Sequence, residues 1–466
     1  VIPLSDGTIL AFGSQNNNQG YLQDPWIYKI STQGDSLYAA TLFTSPGTEI
    51  IKSGTTDHIG NIYLTGSSNS EDTIELFGKA PLVQDIWVIK LDTALNILWA
   101  NIYPRINSEA VDDMLIDGES LWLAGSSNIN DTSLATASGK DYYLMKISTE
   151  DGLEEDSRTY GGTAYDEAFM LLEDGSYIII GGYTQSPDGD VAQLIGFRDA
   201  WILRIDKQTL DIAAQVTLGF ANGDVPRDMI KTADSGIVLL GQSASPALPG
   251  FHGLDDIWIC KLDENLQVQW QYAYGGGSID SPGGIVQVLD GRLIINGYTN
   301  SIDGDIPFNW LGMNQIIMAI NPVDGALLAV EAYGGDLEDG GYGICILDGD
   351  IYSSGYTDSV DGDLGKHGNH NGWIMRQNIG TGLGETVQST QHAFIYPNPA
   401  TTYCVIEGLD STKPVLITDI LGRRYNEAVI LPTHRGSGIL QLEGLAPGLY
   451  IITQISSDLA IRLIVR

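Results

Sequence analysis

Basic residues are scarce in this chain: 23 Lys and Arg stand against 59 Asp and Glu, leaving a net charge of −36. A surface of that sign repels phosphate backbones and anionic lipid headgroups, which argues against nucleic acid as a partner. It suits solubility in salt or the binding of divalent cations, with a merely solvated exterior as the plain alternative. Cysteine is nearly absent. Cys260, Cys345 and Cys404 each lie inside an apolar, strand-like run, so they read as small core residues and imply no disulfide framework. No apolar run approaches the roughly 20 residues that cross a bilayer, and no charged-then-apolar leader opens the chain. Residue 1 is a Val in mid-pattern; the natural N-terminus is expected to have been removed or not included, and the missing leader says nothing against secretion. Helical 3.6-residue periodicity is missing throughout. So are a Gly-x-Ser-x-Gly elbow, a phosphate loop and a His-Glu-x-x-His helix, which weakens an enzymatic reading.

What is present is repetition on a background that is 43% hydrophobic, enough for real cores. Asp or Asn, one residue, a large apolar residue, two apolar residues and usually a base recur seven times. The copies centre on Trp26, Trp87, Tyr143, Trp201, Trp258, Ile316 and Trp373, at intervals of 56 to 61 residues. The basic position holds Lys29, Lys90, Lys146, Arg204, Lys261, Ala319 and Arg376. A second motif keeps the same beat: a turn of the Asp-Gly type, an apolar run, and then Gly13, Gly66, Gly125, Gly182, Gly241, Gly297 or Gly355. Within one unit the pattern predicts four short strands, Glu167–Leu172, Tyr177–Gly182, Ala200–Ile205 and Ala213–Leu218. Seven such units predict a seven-bladed β-propeller over residues 1–380. Small residues opening the first strand, as in Ser281-Pro282-Gly283-Gly284, suit the crowded axis and mark that strand as innermost.

The units resemble a repeat of secreted Bacteroidetes proteins, through Gly182-Tyr183-Thr184, Gly297-Tyr298-Thr299 and Gly355-Tyr356-Thr357, and through the junctions Tyr160-Gly161-Gly162, Tyr274-Gly275-Gly276 and Tyr333-Gly334-Gly335. That resemblance implies a fold and a secreted context, and no particular activity.

The beat stops after Gly380. Residues 381–393 read as a linker or a last outer strand, and residues 394–466 alternate apolar and polar in short runs broken by Pro and Gly, the pattern of a small Ig-like β-sandwich. This stretch resembles the C-terminal sorting domain of type IX secretion. The resemblance rests on Tyr396-Pro397-Asn398-Pro399-Ala400, on Ile417-Thr418-Asp419-Ile420-Leu421-Gly422-Arg423, on Leu445-Ala446-Pro447-Gly448-Leu449-Tyr450, and on a basic-ended last strand. It implies export through the type IX machinery of the outer membrane to the extracellular space or outer cell surface, often with the domain cut off afterwards.

Candidate chemistry gathers in the loops between second and third strands, which ring geometry puts on one side of the disc. Three of these carry Ser-x-Asp-Gly-Asp, with Asp188 and Asp190, Asp303 and Asp305, and Asp361 and Asp363 as candidate Ca²⁺ ligands; good turn chemistry explains the same residues without metal. Phe197, Phe251, His252, Phe308, Trp310, His367 and His370 are the candidate ligand-binding residues, with loop core as the alternative. The expected function is a non-catalytic adhesion or binding protein contacting a glycan, matrix or protein ligand through that face. A polymerising structural subunit, suggested by incomplete first and seventh units, and a polysaccharide hydrolase or lyase are the alternatives. A carboxylate pair converging in the central funnel would favour the last of these.

Overall fold

The chain divides into two compact units, Val1–Gly384 and Glu385–Arg466. The structure, a computed structural model, describes residues 1–16, 23–32, 34–70, 74, 76–78, 83–105, 108–128, 139–306, 309, 312–360, 362 and 371–378, and the C-terminal strands given below. In the first unit, seven antiparallel sheets follow one another along the chain, each a simple meander. Six have four strands; the seventh has three among the described residues, Asp339–Leu347, Asp350–Thr357 and Asn371–Asn378. In blade 4 the strands are Asp166–Asp174, Tyr177–Thr184, Asp199–Asp206 and Ile212–Leu218, within two residues of the predicted bounds. The first strand of each blade is innermost, and those beginning at Glu49, Glu109, Asp166, Asp224, Asp280 and Asp339 pack against one another in turn around the axis.

The two sequence motifs keep one beat because they are cross-strand partners. Gly66 lies opposite Trp87, Gly182 opposite Trp201, Gly241 opposite Trp258 and Gly355 opposite Trp373. The indole crosses the second strand and is buried completely at Trp87, Trp201 and Trp258, each within an inter-blade core. A Cβ on Gly66 would stand 1.8 Å from the Ile50 carbonyl oxygen and 2.6 Å from the Trp87 ring. Gly66→Ala is therefore expected to cost at least about 2 kcal/mol, the scale of overpacking in a rigid core, as read from urea unfolding. An unchanged midpoint would mean that the ring does not lie there.

At several blades the other repeated residues clasp one blade to the next, whereas Lys261 bonds Thr232 and Asp234 within its own blade. Lys90 Nζ donates to the Thr149 carbonyl at 2.7 Å and an Arg204 guanidinium NH to the Glu264 carbonyl at 2.7 Å, each a turn of the following blade. The tyrosine of the Tyr-Gly-Gly junction does likewise, Tyr160 donating to the Leu210 carbonyl at 2.7 Å. Such bonds satisfy turn carbonyls that the sheets leave unpaired. The ring closes in the same way. Arg376 of blade 7 donates to the Thr32 carbonyl of blade 1 at 3.0 Å, and Ile9 and Ile30 share a buried cluster with Cys345 and Tyr352. Burial pushes the free thiols up, to about 12 at Cys260 and about 11 at Cys345, consistent with inert packing residues.

The second unit contains two four-stranded antiparallel sheets. One is built from Phe394–Tyr396, Tyr403–Glu407, Ser437–Gln441 and Leu431–Pro432, the other from Arg424–Ala428, Val415–Asp419, Gly448–Gln454 and Ala460–Val465.

Candidate functional site

Each inner strand from blade 2 to blade 7 starts with a buried carboxylate: Glu49, Glu109, Asp166, Asp224, Asp280 or Asp339. A hydroxyl from the end of the second strand, or from just beyond it, donates to it. Ser68 reaches Glu49 at 3.0 Å, Ser186 reaches Asp166 at 2.7 Å and Ser359 reaches Asp339 at 2.8 Å. This pins the start of the strand. Three residues further on, the pairing with the second strand slips by one, always beside the partner of the marker glycine. The skipped residues are Lys52, Asp112, Phe169, Arg227, Gly283 and Tyr342. A bulge leaves its extra residue outside the ladder and re-aims the side chain. Here all six line one cavity.

That cavity, of about 300 Å³, is bounded by Lys52, Asp112, Phe169, Arg227, Gln242, Ser281, Pro282, Gly283, Tyr298 and Tyr342. Its wall is chemically mixed. Lys52 and Asp112 pair at 2.9 Å. The Tyr342 ring, 51% exposed, stacks on Tyr356 with centroids 5.9 Å apart and meets Tyr298 edge-on at 6.2 Å. Phe169 packs on Tyr183 at 5.6 Å, and Arg198 lies over that tyrosine at 4.4 Å. Arg227 is exposed and makes no hydrogen bond or ion pair among the described residues. Gly283 contributes space: a Cβ there would come 2.5 Å from the Gly341 oxygen and 2.9 Å from Tyr342 Cα. Blade 7's backbone therefore approaches through the gap that blade 6 leaves.

One residue beyond two of the bulges stand Asp113 and Asp228. Asp113 accepts the Leu171 amide at 2.8 Å, the Ser53 hydroxyl at 3.0 Å and its neighbour Met114's amide at 2.8 Å. Asp228 accepts the Ile285 amide at 2.9 Å and the Met229 amide at 2.8 Å. These carboxylates tie the inner strand of blade 3 to blade 4, and that of blade 5 to blade 6. Desolvation pushes Asp113 up to about 6 and Asp228 to about 7, the second helped by the charge of the first.

The residues singled out from sequence lie elsewhere. Phe197 is 70% exposed. Phe251 packs half-buried against the cluster that holds Trp258. His252 donates its backbone amide to Asp256 at 2.6 Å, with its ring 3.8 Å from both Asp256 and Asp305. None of the three lines the cavity. In the acidic turns, Asp188 accepts the Thr163 amide at 2.9 Å and Asp190 the Gly161 amide at 3.1 Å. Asp303 accepts the Gly277 amide at 2.6 Å and Asp305 the Gly275 amide at 3.2 Å. Each turn is thus stapled to the Tyr-Gly-Gly junction entering its own blade, with Gly189 and Gly304 at φ +72° and +65° making the reversal. Among the described residues no group of three or more His, Cys, Asp or Glu side chains could hold a metal ion. Phe308, Trp310, Asp361, Asp363, His367 and His370 lie outside the described residues, as do Pro397, Asn398, Pro399, Gly422 and Arg423. Asp419 and Tyr450 are cross-strand partners, and Gly448 opens the strand that holds Tyr450.

Comparison with known proteins bears first on the tail. Residues 394–465 match the secretion system C-terminal sorting domain. The chain thus carries a type IX sorting domain and is secreted to the extracellular space or outer cell surface. No curated protein matches the chain. Among solved structures, the phage phi92 endosialidase is similar at 12% identity, over 99% of this chain and 84% of that one, with a TM-score of 0.42. The quinohemoprotein alcohol dehydrogenase of Comamonas testosteroni is similar at 11% identity, over 80% and 75%, with a TM-score of 0.40. The acylaminoacyl peptidase of Pyrococcus horikoshii gives 10% identity, 88% and 57%, and 0.43.

Proposed function

We propose that this protein is a non-catalytic binding protein of the bacterial exterior, whose ligand sits in the central cavity on the bulged side chains of the inner strands. One observation carries the reading. The framework around each bulge repeats, with an acid three residues before and the partner of a marker glycine beside it, whereas the bulged residue is in turn Lys, Asp, Phe, Arg, Gly and Tyr. Strand pairing alone does not require six different residues at one position. A site that contacts one ligand from several sides does, and concave sites with a few convergent polar groups are the usual binding places of rigid scaffolds. The sorting domain delivers such a site to where glycans, matrix and partner cells are met.

The reading is tested by comparing cavity variants with loop variants. Tyr342→Ala and Arg227→Ala should abolish adhesion to glycan arrays or to extracellular matrix, with the melting temperature moved by no more than about 2 °C, since both side chains are exposed. Phe197→Ala should leave adhesion intact. The reverse pattern would return the binding face to the long loops.

A second reading, a polysaccharide hydrolase or lyase, is supported by the raised carboxyls of Asp113 and Asp228 beside the channel. Their oxygens are engaged by backbone amides that join blades, which favours a structural role. Release of reducing ends or unsaturated sugar from extracellular polysaccharides, lost on Asp228→Asn, would establish the enzyme instead.

A further inference from the structure

We infer that the cavity takes an acidic saccharide, with the carboxylate of a uronic or related sugar acid on Arg227 and the sugar face on Tyr342; this rests on the cavity reading above. The first ground is the state of the charges. In the propeller, every described lysine and arginine except Arg198 and Arg227 makes a hydrogen bond or an ion pair, and Arg198 is placed over the Tyr183 ring. Arg227 alone is left both unpaired and unstacked, in a chain of net charge −36 where carboxylate partners abound. A guanidinium presents a planar fork that matches a carboxylate in two parallel hydrogen bonds. Lys52, the other cation of the wall, is already neutralised by Asp112 at 2.9 Å, so the unspent positive charge is on the blade 5 side.

The second ground is independent of charge. Ser281 is only 5% exposed, yet its hydroxyl has no partner among the described residues, and neither has the side chain of Gln242; both line the cavity beside Arg227. Both groups are therefore left to pair with whatever occupies the cavity. Ligand hydroxyls suit both. Third, the aromatic surface is held ready: Tyr342 is stacked on Tyr356 and braced edge-on by Tyr298, so its free face needs no ordering when a ring packs on it. An anion, hydrogen-bonding hydroxyls and a flat apolar face together describe a sugar acid. A cavity of about 300 Å³ is at the small end of ligand sites, the scale of one or two sugar rings.

Calorimetric titration of the full chain with oligogalacturonate, its methyl ester and a neutral galacto-oligosaccharide tests this. Oligogalacturonate should bind roughly tenfold or more tighter than the other two, the difference shrinking with salt. Arg227→Ala should remove that preference, while Arg227→Lys should keep part of it and Tyr342→Ala should weaken all three ligands alike. Equal binding of acid, ester and neutral sugar, all lost on Tyr342→Ala, would overturn the acidic preference while leaving the cavity as the site. Saccharide binding unmoved by Arg227→Ala and by Tyr342→Ala would overturn both. Absence of binding by any of the three sugars, in a wild-type protein with an intact thermal transition, would overturn the saccharide assignment.

Discussion

The propeller should melt higher at pH 5 than at pH 8, by roughly 5 °C or more, opposite to the usual loss of stability on acidification. Desolvation is the principal cause. It pushes Glu109 and Asp228 up to about 7, and Asp113 and Asp256 up to about 6, and it raises Glu49, Asp166, Asp199, Asp224 and Asp280 as well. Paired acids add to the effect where blades meet, Asp85 facing Glu109 and Asp280 facing Asp256. Because these groups hold protons more tightly folded than unfolded, their contribution is complete below the unfolded values near pH 4. It is lost as pH rises through 6 to 7. Each pH unit in that window is worth about 1.4 kcal/mol per fully buried group before relaxation and water entry reduce it. Repulsion among surface carboxylates has the same sign, and 1 M salt screens it while leaving the buried part. Glu109→Gln separates the two further. Its amide oxygen can still accept the Ser127 hydroxyl, 3.1 Å from Glu109 Oε1, and its NH₂ replaces an oxygen that has no partner. The variant should equal or exceed wild type at pH 8 and lose that margin at pH 5. A melting temperature that falls steadily from pH 8 to pH 5 would show that these carboxylates are ionised and stabilised in the fold.

The same buried acids show what the sequence makes legible and what it hides. Blade number and strand order were readable because Trp and Gly face each other across two strands, so that one packing constraint writes two motifs at one interval. Several of the repeated bases and Tyr-Gly-Gly tyrosines were readable for a similar reason: Lys90, Arg204, Tyr160 and Tyr274 each reach a turn carbonyl of the next blade. The cavity was not readable as a site, because its residues share a backbone position and no side-chain identity. Lys52, Phe169 and Tyr342 look like unrelated strand residues until the one-residue slip beside each marker glycine aligns them. The signal was present as an offset, three residues after the once-per-blade acid. Loop aromatics attract attention for the opposite reason, since they stand out in composition. Phe251 shows the limit of that cue, a loop aromatic that spends its ring on a core cluster.

Ending the chain after Gly384 should abolish export while leaving the propeller folded. Blades 7 and 1 meet through residues of the first unit, with Cys345 and Tyr352 packed on Ile9 and Ile30 and Arg376 bonded to the Thr32 carbonyl. The melting temperature of the truncated protein should therefore lie within about 2 °C of the propeller transition of the full chain, and its affinity for a cavity ligand should be unchanged. Secretion should fall from nearly complete to background in a type IX-competent bacterium, with the product retained in the periplasm, because residues 394–465 are the sorting domain. A smaller cut makes the same point more sharply. Ala460–Val465 pairs along Gly448–Gln454, from Gly448 opposite Val465 to Thr453 opposite Ala460. Removing that one strand strips the partner from the edge that holds Tyr450 and leaves its amides and carbonyls unpaired. Export should be lost as completely as with the whole tail deleted, although every other motif residue remains. Normal extracellular yield from the shorter deletion would show that the motif residues act as a linear signal, and that the folded sheet is not what the secretion machinery recognises.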